Sequence, residues 1–412
     1  MTTSFLINWF GSLAGGLPTG SLAELNAAKN FSTTTSGDYS MKKSLLALAV
    51  LGAFAGVAQA QTSVTIYGSF DAGVRSAQDQ NANGNSRTTM SSTGTYNSNR
   101  IGFKGVEDLG GGLNAHFTLE SAFNSGTGAI DQNRFFGRSA FVGLGGRWGS
   151  IDLGRQYTVA FKTVGAYDPF NYKYTGIIPT ALASISAGTR NDNDIQYTGT
   201  FGPLTARAEY ALGERVGGGS GGTAAAVGAT FATGPFSVGA AYTKRNPDQR
   251  TAAQITAGAP TLDRDNNHYT VGGAFTFGPG RIAAGYAREE QDLVLGGDAT
   301  QKNAWIGGSY DITPALGLSA AYYHTKADGF GATANSSGKR GLFIVGATYA
   351  LSKRTNFYAD VDYTKYKDGL VSASTGVANT AGLSGSGSQL GLASAPGQDK
   401  QVGVSVGINH LF

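Results

Sequence analysis

The chain has 412 residues, of which 63 are Gly, 10 are Pro and none is Cys. Charged residues make up only 14% of the chain, against about 25% in ordinary soluble domains. The lack of Cys excludes disulfides and thiolate metal sites, and the formal net charge of +4 is too small to indicate a nucleic-acid partner. Beyond residue 60, no apolar run approaches the ~18 residues of a membrane helix.

An export signal is predicted near the N-terminus. Residues 41–60 read MKKSLLALAVLGAFAGVAQA, in which Lys42 and Lys43 precede an apolar stretch. Ala58 and Ala60 then supply a small-residue A-x-A cleavage site. A buried helix is the alternative, but the order basic, apolar, small favours a signal peptide.

Only one of the two segments that flank this signal is predicted to belong to the mature protein. Residues 1–40 resemble no export element, and we expect them to reflect an upstream start codon rather than the mature protein. Cleavage leaves residues 61–412, which we expect to fold as one domain with a mild positive charge.

From Thr62 onward, apolar and polar residues alternate along most of the chain. In the last segment Val402, Val404, Val406 and Ile408 all occupy even positions, with Gly and Ser between them. Period-two alternation indicates strands that have one apolar face and one polar face.

Short and long connections separate these strands. The short ones carry tight-turn chemistry, in most of them Gly or Pro, and lie at residues 108–112, 144–149, 201–204, 232–236, 277–280, 311–316 and 351–355. The long ones are rich in Asn, Asp, Gly and Ser, and lie for example at residues 77–95, 247–265 and 368–398. Seven hairpins, a first strand near 63–75 and a last strand near 399–412 make sixteen strands.

This arrangement predicts an all-β fold, a sixteen-stranded antiparallel transmembrane β-barrel with short periplasmic turns and long external loops. Strands of about ten residues suffice to cross a bilayer when they are tilted. Barrels of about sixteen strands enclose water, whereas eight strands are filled by side chains. A soluble sandwich is the alternative, but it would not separate its loops by length.

Four segments carry a family resemblance: NRIGFKGVEDLGGGL at 99–113, FGRSAFVGL at 136–144, IDLGRQY at 151–157 and the terminal VGINHLF. They resemble the trimeric general porins of Gram-negative outer membranes, most closely those of beta-proteobacteria. The resemblance implies a homotrimer among outer-membrane lipid and lipopolysaccharide that lets small hydrophilic solutes and ions diffuse passively. It also implies that the barrel-assembly machinery reads a terminal strand ending at Phe412.

The resemblance further implies that the third external loop folds inward and narrows the lumen. The matching connection, residues 158–191, lacks sustained alternation and contains AYDPFNYKYTG at 166–176. Long segments without regular structure in compact proteins are usually functional or disordered. Projection outward is the alternative, and no hydrophobic pattern excludes it.

Porins of this kind place basic side chains on the wall that faces the loop. Three positions match, namely Arg100 in NRIGF, Arg138 in GRSAF and Arg190 in TRNDN. Alternation independently directs two of them inward, because Arg100 opposes Ile101 and Arg138 opposes Phe141. An Arg directed at lipid in mid-bilayer would cost about 2–4 kcal/mol.

The loop itself is poor in acid. Better-known cation-preferring porins carry a Glu here, whereas this chain reads FNYKYTG, with Lys173 and no carboxylate. Asp168 is the best local acid, and Lys162 and Lys173 are expected to face the arginines. Charged rings set pore selectivity, so we predict a preference for anions. Asp152 and Glu120 would weaken that preference if they faced the lumen nearby.

Enzymatic and metal chemistry find little support. The four His residues lie on four separate predicted strands, and no cofactor or metal site is predicted. A Ser–His–acid triad around His116 has no local support, so we expect no enzyme. The alternative functions are a substrate-specific channel and an adhesion or binding barrel. A stretch that is apolar on both faces, 224–232, is a candidate contact with a neighbouring subunit.

Overall fold

The computed structural model describes residues 63–90, 96–174, 188–214, 220–246, 265–292, 298–330, 336–371 and 397–412. The predicted signal peptide (41–60) and the segment before it lie outside the described residues. The strands are β1 (Ser63–Ala77), β2 (Arg87–Met90), β3 (Arg100–Gly110), β4 (Leu113–Ala122), β5 (Ser139–Gly146), β6 (Gly149–Tyr157), β7 (Arg190–Phe201), β8 (Leu204–Ala211), β9 (Ala224–Thr233), β10 (Phe236–Arg245), β11 (Asn266–Phe277), β12 (Gly280–Asp292), β13 (Asp298–Asp311), β14 (Leu316–Phe330), β15 (Ser336–Ala350), β16 (Thr355–Asp368) and β17 (Lys400–Leu411).

The helical segments are short. An α-helix, α1, spans Val159–Val164, and two 3₁₀ turns span Asp131–Asn133 and Gly165–Tyr167. No helix in the described part of the chain is long and apolar enough to cross a membrane.

The strands form one closed antiparallel sheet. Each strand from β3 onward pairs with the next, and β17 pairs with β1 from Ser69↔Leu411 to Ala77↔Gly403. Strands β2 and β3 share one wall position, since β1 pairs with β3 over its first half and with β2 over Val74–Ala77. Sixteen wall positions therefore close the barrel, as the turn count predicted.

All seven predicted tight turns join consecutive strands at one end of the barrel. Gly111 and Gly112 join β3 to β4 with positive φ values of 62° and 82°, a backbone conformation that favours glycine. At the β7–β8, β9–β10 and β11–β12 turns, a Gly with positive φ precedes Pro. These local signals help to fix the register of these four hairpins.

The two faces of the wall have opposite chemistry. On β17, Val404, Val406 and Ile408 are exposed, whereas Ser405 and Asn409 are buried inside the barrel. Exposed apolar residues outside and buried polar residues inside reverse the pattern of a soluble protein and suit a wall between lipid and water.

One predicted orientation was wrong. Phe141 lies on the inner face of β5, because its partner is Thr118 and its neighbour Val142 is 56% exposed. Arg138 nevertheless reaches the lumen, because β5 begins only at Ser139 and Arg138 is not subject to the alternation of that strand.

The stretch that is apolar on both faces also has an explanation. Ala226, on the inner face of β9, packs with Ala241 of β10 against Val159 and Ala160 of α1. Its inner apolar face is therefore covered by a helix of the same chain. The two-sided pattern does not require a neighbouring subunit.

Candidate functional site

The chain leaves the wall after β6 and enters the barrel. Thr158, in extended conformation, caps α1 by accepting a hydrogen bond from Phe161 N to its hydroxyl at 3.2 Å. The segment 158–174, which we call the lumen loop, then contacts the inner faces of β9–β16. Of the predicted third loop, residues 175–187 lie outside the described residues, and β7 begins at Arg190.

Tyr167 fixes the middle of the lumen loop against the wall. Its backbone carbonyl accepts a hydrogen bond from Trp305 Nε1 at 2.9 Å, and its hydroxyl lies 3.0 Å from Ser237 Oγ. Its side chain lies directly on Gly272, where an added Cβ would be 2.7 Å from Tyr167 Cβ. Only glycine lets the loop approach the wall this closely.

Asp168 anchors the next part of the loop. One carboxylate oxygen accepts from the Tyr323 hydroxyl at 2.5 Å, and the other accepts from the backbone N–H of Tyr172 and Phe170. Asp168 is fully buried, and burial raises its pKa to about 6. Asp168, predicted as the best local acid of the loop, therefore lies in the packing between loop and wall, because its hydrogen bonds turn the carboxylate away from the open lumen.

Arg100 and Arg138 share one acidic neighbour. Arg138 Nε lies 2.5 Å from Glu120 Oε1, and Arg100 Nε lies 3.8 Å from Glu120 Oε2. Glu120 is buried on the inner face of β4, so this carboxylate offsets part of the positive charge. The acid therefore comes from the wall strand rather than from the loop.

Arg138 and Arg190 converge on Tyr157, the last residue of β6. Both donate hydrogen bonds to the Tyr157 hydroxyl, from Arg190 Nη2 at 2.8 Å and from Arg138 Nη2. The Arg190 guanidinium also lies 4.3 Å from the centre of the ring. Tyr157 stacks on Phe161 at 4.6 Å, and Phe161 stacks on Tyr172 at 4.3 Å.

The alternation of apolar and polar residues did not identify Tyr157 as a residue of the site. The β6–β7 register shifts between Gly154 and Gln156, just before this residue, so its parity no longer indicates its face. Its position immediately before the predicted loop was the available signal, because residues that enter a loop often position it.

The two predicted lysines differ in their surroundings. Lys162 donates to the side-chain oxygens of Gln156 and Gln196 in the packing between α1 and the wall, where burial lowers its pKa. Lys173 lies 5.3 Å above the ring of Tyr96. Burial, and secondarily the charge of Arg100, lower the pKa of Lys173 to about 8.

The predicted set therefore separates into two groups. Arg100, Arg138 and Arg190 come together around Glu120 and Tyr157, with Lys173 near Arg100. Lys162 and Asp168 instead hold the loop to the wall, and the expectation that Lys162 faces the arginines was wrong. Lys162 is oriented differently because α1 packs against β9 and β10, and this packing turns the Lys162 side chain toward β6 and β7.

His116 is held by polar neighbours on the inner wall. Its Nε2 lies 2.7 Å from Asp152 Oδ1, and its Nδ1 lies 3.1 Å from Asn114 Oδ1, so both ring nitrogens have partners other than serine. Within the ranges that the structure describes, no three His, Asp or Glu residues are grouped so that they could hold a metal ion.

Comparisons with known proteins agree on the fold. The model of the Gram-negative porin family matches residues 47–369. The chain is 32% identical to an outer membrane porin of Bordetella pertussis, covering 79% of this chain and 94% of the relative. It is 33% identical to outer membrane porin protein 32 of Delftia acidovorans, covering 90% and 100%.

Among solved structures, it is similar to an anion-selective porin from Comamonas acidovorans, with a TM-score of 0.68, 25% identity and coverage of 85% of this chain and 100% of the other. OmpT of Vibrio cholerae in its trimer form matches with a TM-score of 0.59 and 16% identity, over 85% and 99%. The second likeness concerns the fold alone.

Proposed function

We propose that this chain, which belongs to the Gram-negative porin family, forms a water-filled channel that prefers anions. The protein is a multi-pass protein of the outer membrane, and its sixteen-position barrel carries small hydrophilic solutes and ions by passive diffusion. The lumen loop and the arginines opposite it form the constriction in this proposal.

The cluster of Arg100, Arg138 and Arg190 is the observation that carries the anion preference. Three guanidinium groups and Lys173 lie near two carboxylates, Glu120 beside Arg100 and Arg138, and Asp71 near Lys173, so the positive charges in this group outnumber the negative ones. Rings of Arg and Lys select for anions in pores. The anion-selective porin from Comamonas acidovorans, a structural neighbour, supports the same preference.

A planar bilayer tests the proposal. Purified protein in a KCl gradient should raise the bilayer conductance in steps. Its reversal potential should lie closer to the equilibrium potential of chloride than to that of potassium. Arg138→Gln and Arg190→Gln should each move the reversal potential toward the equilibrium potential of potassium, because each removes one positive charge beside Tyr157. A clear preference of the unmodified protein for potassium would contradict the proposed anion selectivity. A folded barrel that conducts no current would contradict the proposed channel function.

A substrate-specific channel is the second candidate. Tyr157, Phe161 and Tyr172 form a stack of three rings beside the arginines. Aromatic side chains at such a position give the lumen an apolar surface that planar or sugar-ring solutes contact as they pass. This function predicts that millimolar solute blocks the ion current with saturation. A general channel instead shows no saturable block by any small sugar.

We include three further assignments in the proposal. The first is a homotrimer, in line with the trimer form of OmpT from Vibrio cholerae, and it predicts openings in groups of three. The second is cleavage of the signal peptide 41–60 after Ala60, which predicts that protein purified from outer membranes begins at Gln61 when its N-terminus is sequenced. The third is the absence of enzymatic activity, since porins are channels.

The terminal strand supports a role in assembly. Phe412 exchanges backbone hydrogen bonds with Gly68 of β1, at 3.0 and 3.2 Å, which completes the closing seam. We assign the strand that ends at Phe412 as the segment read by the barrel-assembly machinery. Phe412→Ala should lower the amount of assembled barrel in cells, whereas Phe357→Ala, a matched change to an exposed outer-face ring of β16, should lower it less.

A further inference from the structure

A short segment of the first long connection lies on the inner face of the barrel. Residues 96–99, which we call the inward segment, lie between β2 and β3 and directly precede Arg100 of the constriction. Asn97 and Asn99 of this segment are buried. Long connections of such barrels extend outside the membrane, so two buried amide side chains in one of them require an explanation.

The inward segment fills a gap beside β1. In the described ranges, β1 pairs with β3 only as far as Ser69 and with β2 only from Val74 onward. Asp71 lies inside this gap, and its backbone N–H donates to Asn99 Oδ1 at 2.5 Å. The Asp71 carboxylate accepts from the Asn97 backbone N–H at 3.0 Å. The inward segment therefore satisfies polar groups of β1 where the strand pairing is interrupted.

The same segment is also bound to the last strand. Asn97 Nδ2 donates to Ser69 Oγ at 2.9 Å and to Asn409 Oδ1 of β17 at 3.3 Å. Ser69 donates to the same Asn409 oxygen at 2.9 Å. All three side chains are buried, where an unsatisfied amide would be costly. The inward segment is therefore fixed to both strands of the closing seam.

Tyr96 extends from this fixed segment onto the inner wall. Its ring stacks on the ring of Tyr358 of β16, with 5.0 Å between the ring centres and an angle of 18°. Tyr358 is 3% exposed, and its hydroxyl donates to Asp71 Oδ1 at 2.8 Å. The Tyr358 side chain crosses β17 at Gly407, where any Cβ would overlap the Tyr358 hydroxyl. The surface on which Tyr96 stacks is therefore held in place by β1 and β17.

The lumen loop ends against Tyr96. The Tyr174 ring meets the Tyr96 ring edge-on at 5.2 Å, and the Tyr174 N–H donates to the Tyr96 carbonyl at 2.7 Å. The Tyr174 hydroxyl donates to the Ala359 carbonyl of β16 at 3.2 Å. Lys173 Nζ lies 5.3 Å from the centre of the Tyr96 ring. Tyr96 thus contacts both residues at the C-terminal end of the lumen loop.

The end of the loop needs a restraint because like charges lie near each other there. Burial, and secondarily the charge of Arg100, lower the pKa of Lys173 to about 8, and Asp71 is the carboxylate that opposes this effect. An unrestrained ammonium group would move away from Arg100 into water, where its charge is better solvated. The Tyr96 ring instead offers the Lys173 ammonium a cation–π contact inside the lumen.

We propose that Tyr96 is a positioning residue, which holds the end of the lumen loop and thereby sets where the Lys173 charge lies in the constriction. Its ring contacts the wall on one side and the loop on the other, and such ring pairs contribute beyond the area they bury. The first long connection is then part of the constriction, together with the wall and the lumen loop. The effect on ion selectivity rests on the proposed function, whereas the effect on loop position does not.

A spin label tests the loop position directly, because the chain has no Cys of its own. Lys173→Cys carries a nitroxide in four backgrounds of the full barrel, namely unmodified, Tyr96→Leu, Tyr96→Phe and Tyr269→Leu. Leu keeps apolar bulk but removes the ring, and Phe keeps the ring. Tyr269→Leu is the matched control, because it removes a ring that lies 5.0 Å from Tyr242 on the outer face.

In Tyr96→Leu the mobile fraction of the label should rise about tenfold, because two ring contacts are lost. Tyr96→Phe and Tyr269→Leu should match the unmodified background. If Tyr96 only stabilised the fold, Tyr96→Leu would lower the unfolding temperature and leave the label immobile. Equal mobility in all four backgrounds, or an equal rise in Tyr269→Leu, would overturn the proposal.

Tyr174→Leu provides a second variant in case Tyr96→Leu does not fold. It removes the partner ring from the loop side, and it should release the label to a similar degree because the Tyr96–Tyr174 contact is lost in both variants. An immobile label in Tyr174→Leu would also overturn the proposal.

Ion selectivity gives a separate readout in protein that keeps Lys173. In Tyr96→Leu, Lys173 should be more exposed to water, so the pH midpoint of the chloride preference should move from about 8 toward the ordinary lysine pKa of 10.5. Reversal potentials between pH 6 and pH 10 measure this shift. A released label in a protein without chloride preference would refute the proposed function and leave the positioning role in place. An immobile label in a chloride-preferring protein would refute the positioning role alone.

Discussion

Arg138 and Glu120 form an ion pair on the inner wall, with 2.5 Å between Arg138 Nε and Glu120 Oε1. The charge that the lumen presents at this point is therefore the sum of both groups. Neutralising the acid should have the opposite effect from neutralising the arginine.

Glu120→Gln should raise the preference for chloride over potassium by up to about tenfold, because one unit charge about 6 Å from a permeating ion in water changes the population of each ion about threefold, in opposite directions for the two ions. Gln keeps an oxygen that accepts from Arg138, so the barrel should fold normally. Reversal potentials in a KCl gradient measure the effect. Glu107→Gln, an exposed glutamate of β3 near a short turn, is the control and should leave the potential unchanged. A shift toward potassium in Glu120→Gln would refute this account.

Gly272→Ala should displace the lumen loop. Its new Cβ would lie 2.7 Å from Tyr167 Cβ, an atom that cannot move without the loop backbone, and overpacking of this kind typically costs about 1–3 kcal/mol. We expect a lower unfolding temperature in detergent and a changed single-channel conductance.

The neighbouring Gly273→Ala is the matched control for that change. Its Cβ would point to the other face and meet nothing closer than Ser237 O, at 3.4 Å. It should therefore behave like the unmodified protein in both measurements. Equal effects from the two substitutions would show that close contact with Tyr167 is not the cause.

Asp168 should make stability depend on pH in a window between about 4 and 6. Its pKa of about 6 in the folded protein exceeds the unfolded value of 3.8, so the folded state binds the additional proton within this window. The free energy of unfolding should thus fall as the pH rises from 4 to 6, by about 3 kcal/mol from this group.

Asp168→Asn should abolish that part of the pH dependence. Asn can still accept from Tyr172 N–H and donate to the Tyr323 hydroxyl, so the anchor remains. Thermal unfolding in detergent at several pH values measures the difference. Identical pH profiles for Asp168→Asn and the unmodified protein would refute the assignment.

Lys173 should make ion selectivity depend on pH. Because its pKa is about 8, it carries a full charge at pH 6 and loses it by pH 10. The chloride preference should therefore weaken as the pH rises through 8, and Lys173→Met should flatten this dependence. Lys353→Met, in an exposed turn, should retain it. The measurement is the reversal potential between pH 6 and pH 10.

The wall of the barrel could be predicted because its signals are local. Six of the seven short-turn hairpins have a Gly or Pro at the turn, and all seven have alternation on either side. The last strand, with Val404, Val406 and Ile408, shows the same alternation. Strand β2 was not predicted, because Arg87–Met90 is only four residues long and lies in a segment without clear alternation.

The site was only partly predictable, because its geometry depends on contacts between distant segments. Arg100 could be oriented from its own strand. The burial of Asp168, by contrast, depends on Tyr323, 155 residues away. The direction of Lys162 depends on how α1 packs against Ala226 and Ala241. Such packing has no counterpart in the local pattern of the sequence.

The seam between β1 and β17 constrains the order in which the protein can form. Ser69 donates a hydrogen bond to Asn409, 340 residues away along the chain, and this is among the least local contacts possible in a chain of this length. Non-local contacts form late and slowly. Until β17 arrives, the sheet has two free edges that can pair with other chains. An incomplete barrel is therefore prone to aggregate until its last strand has paired with β1.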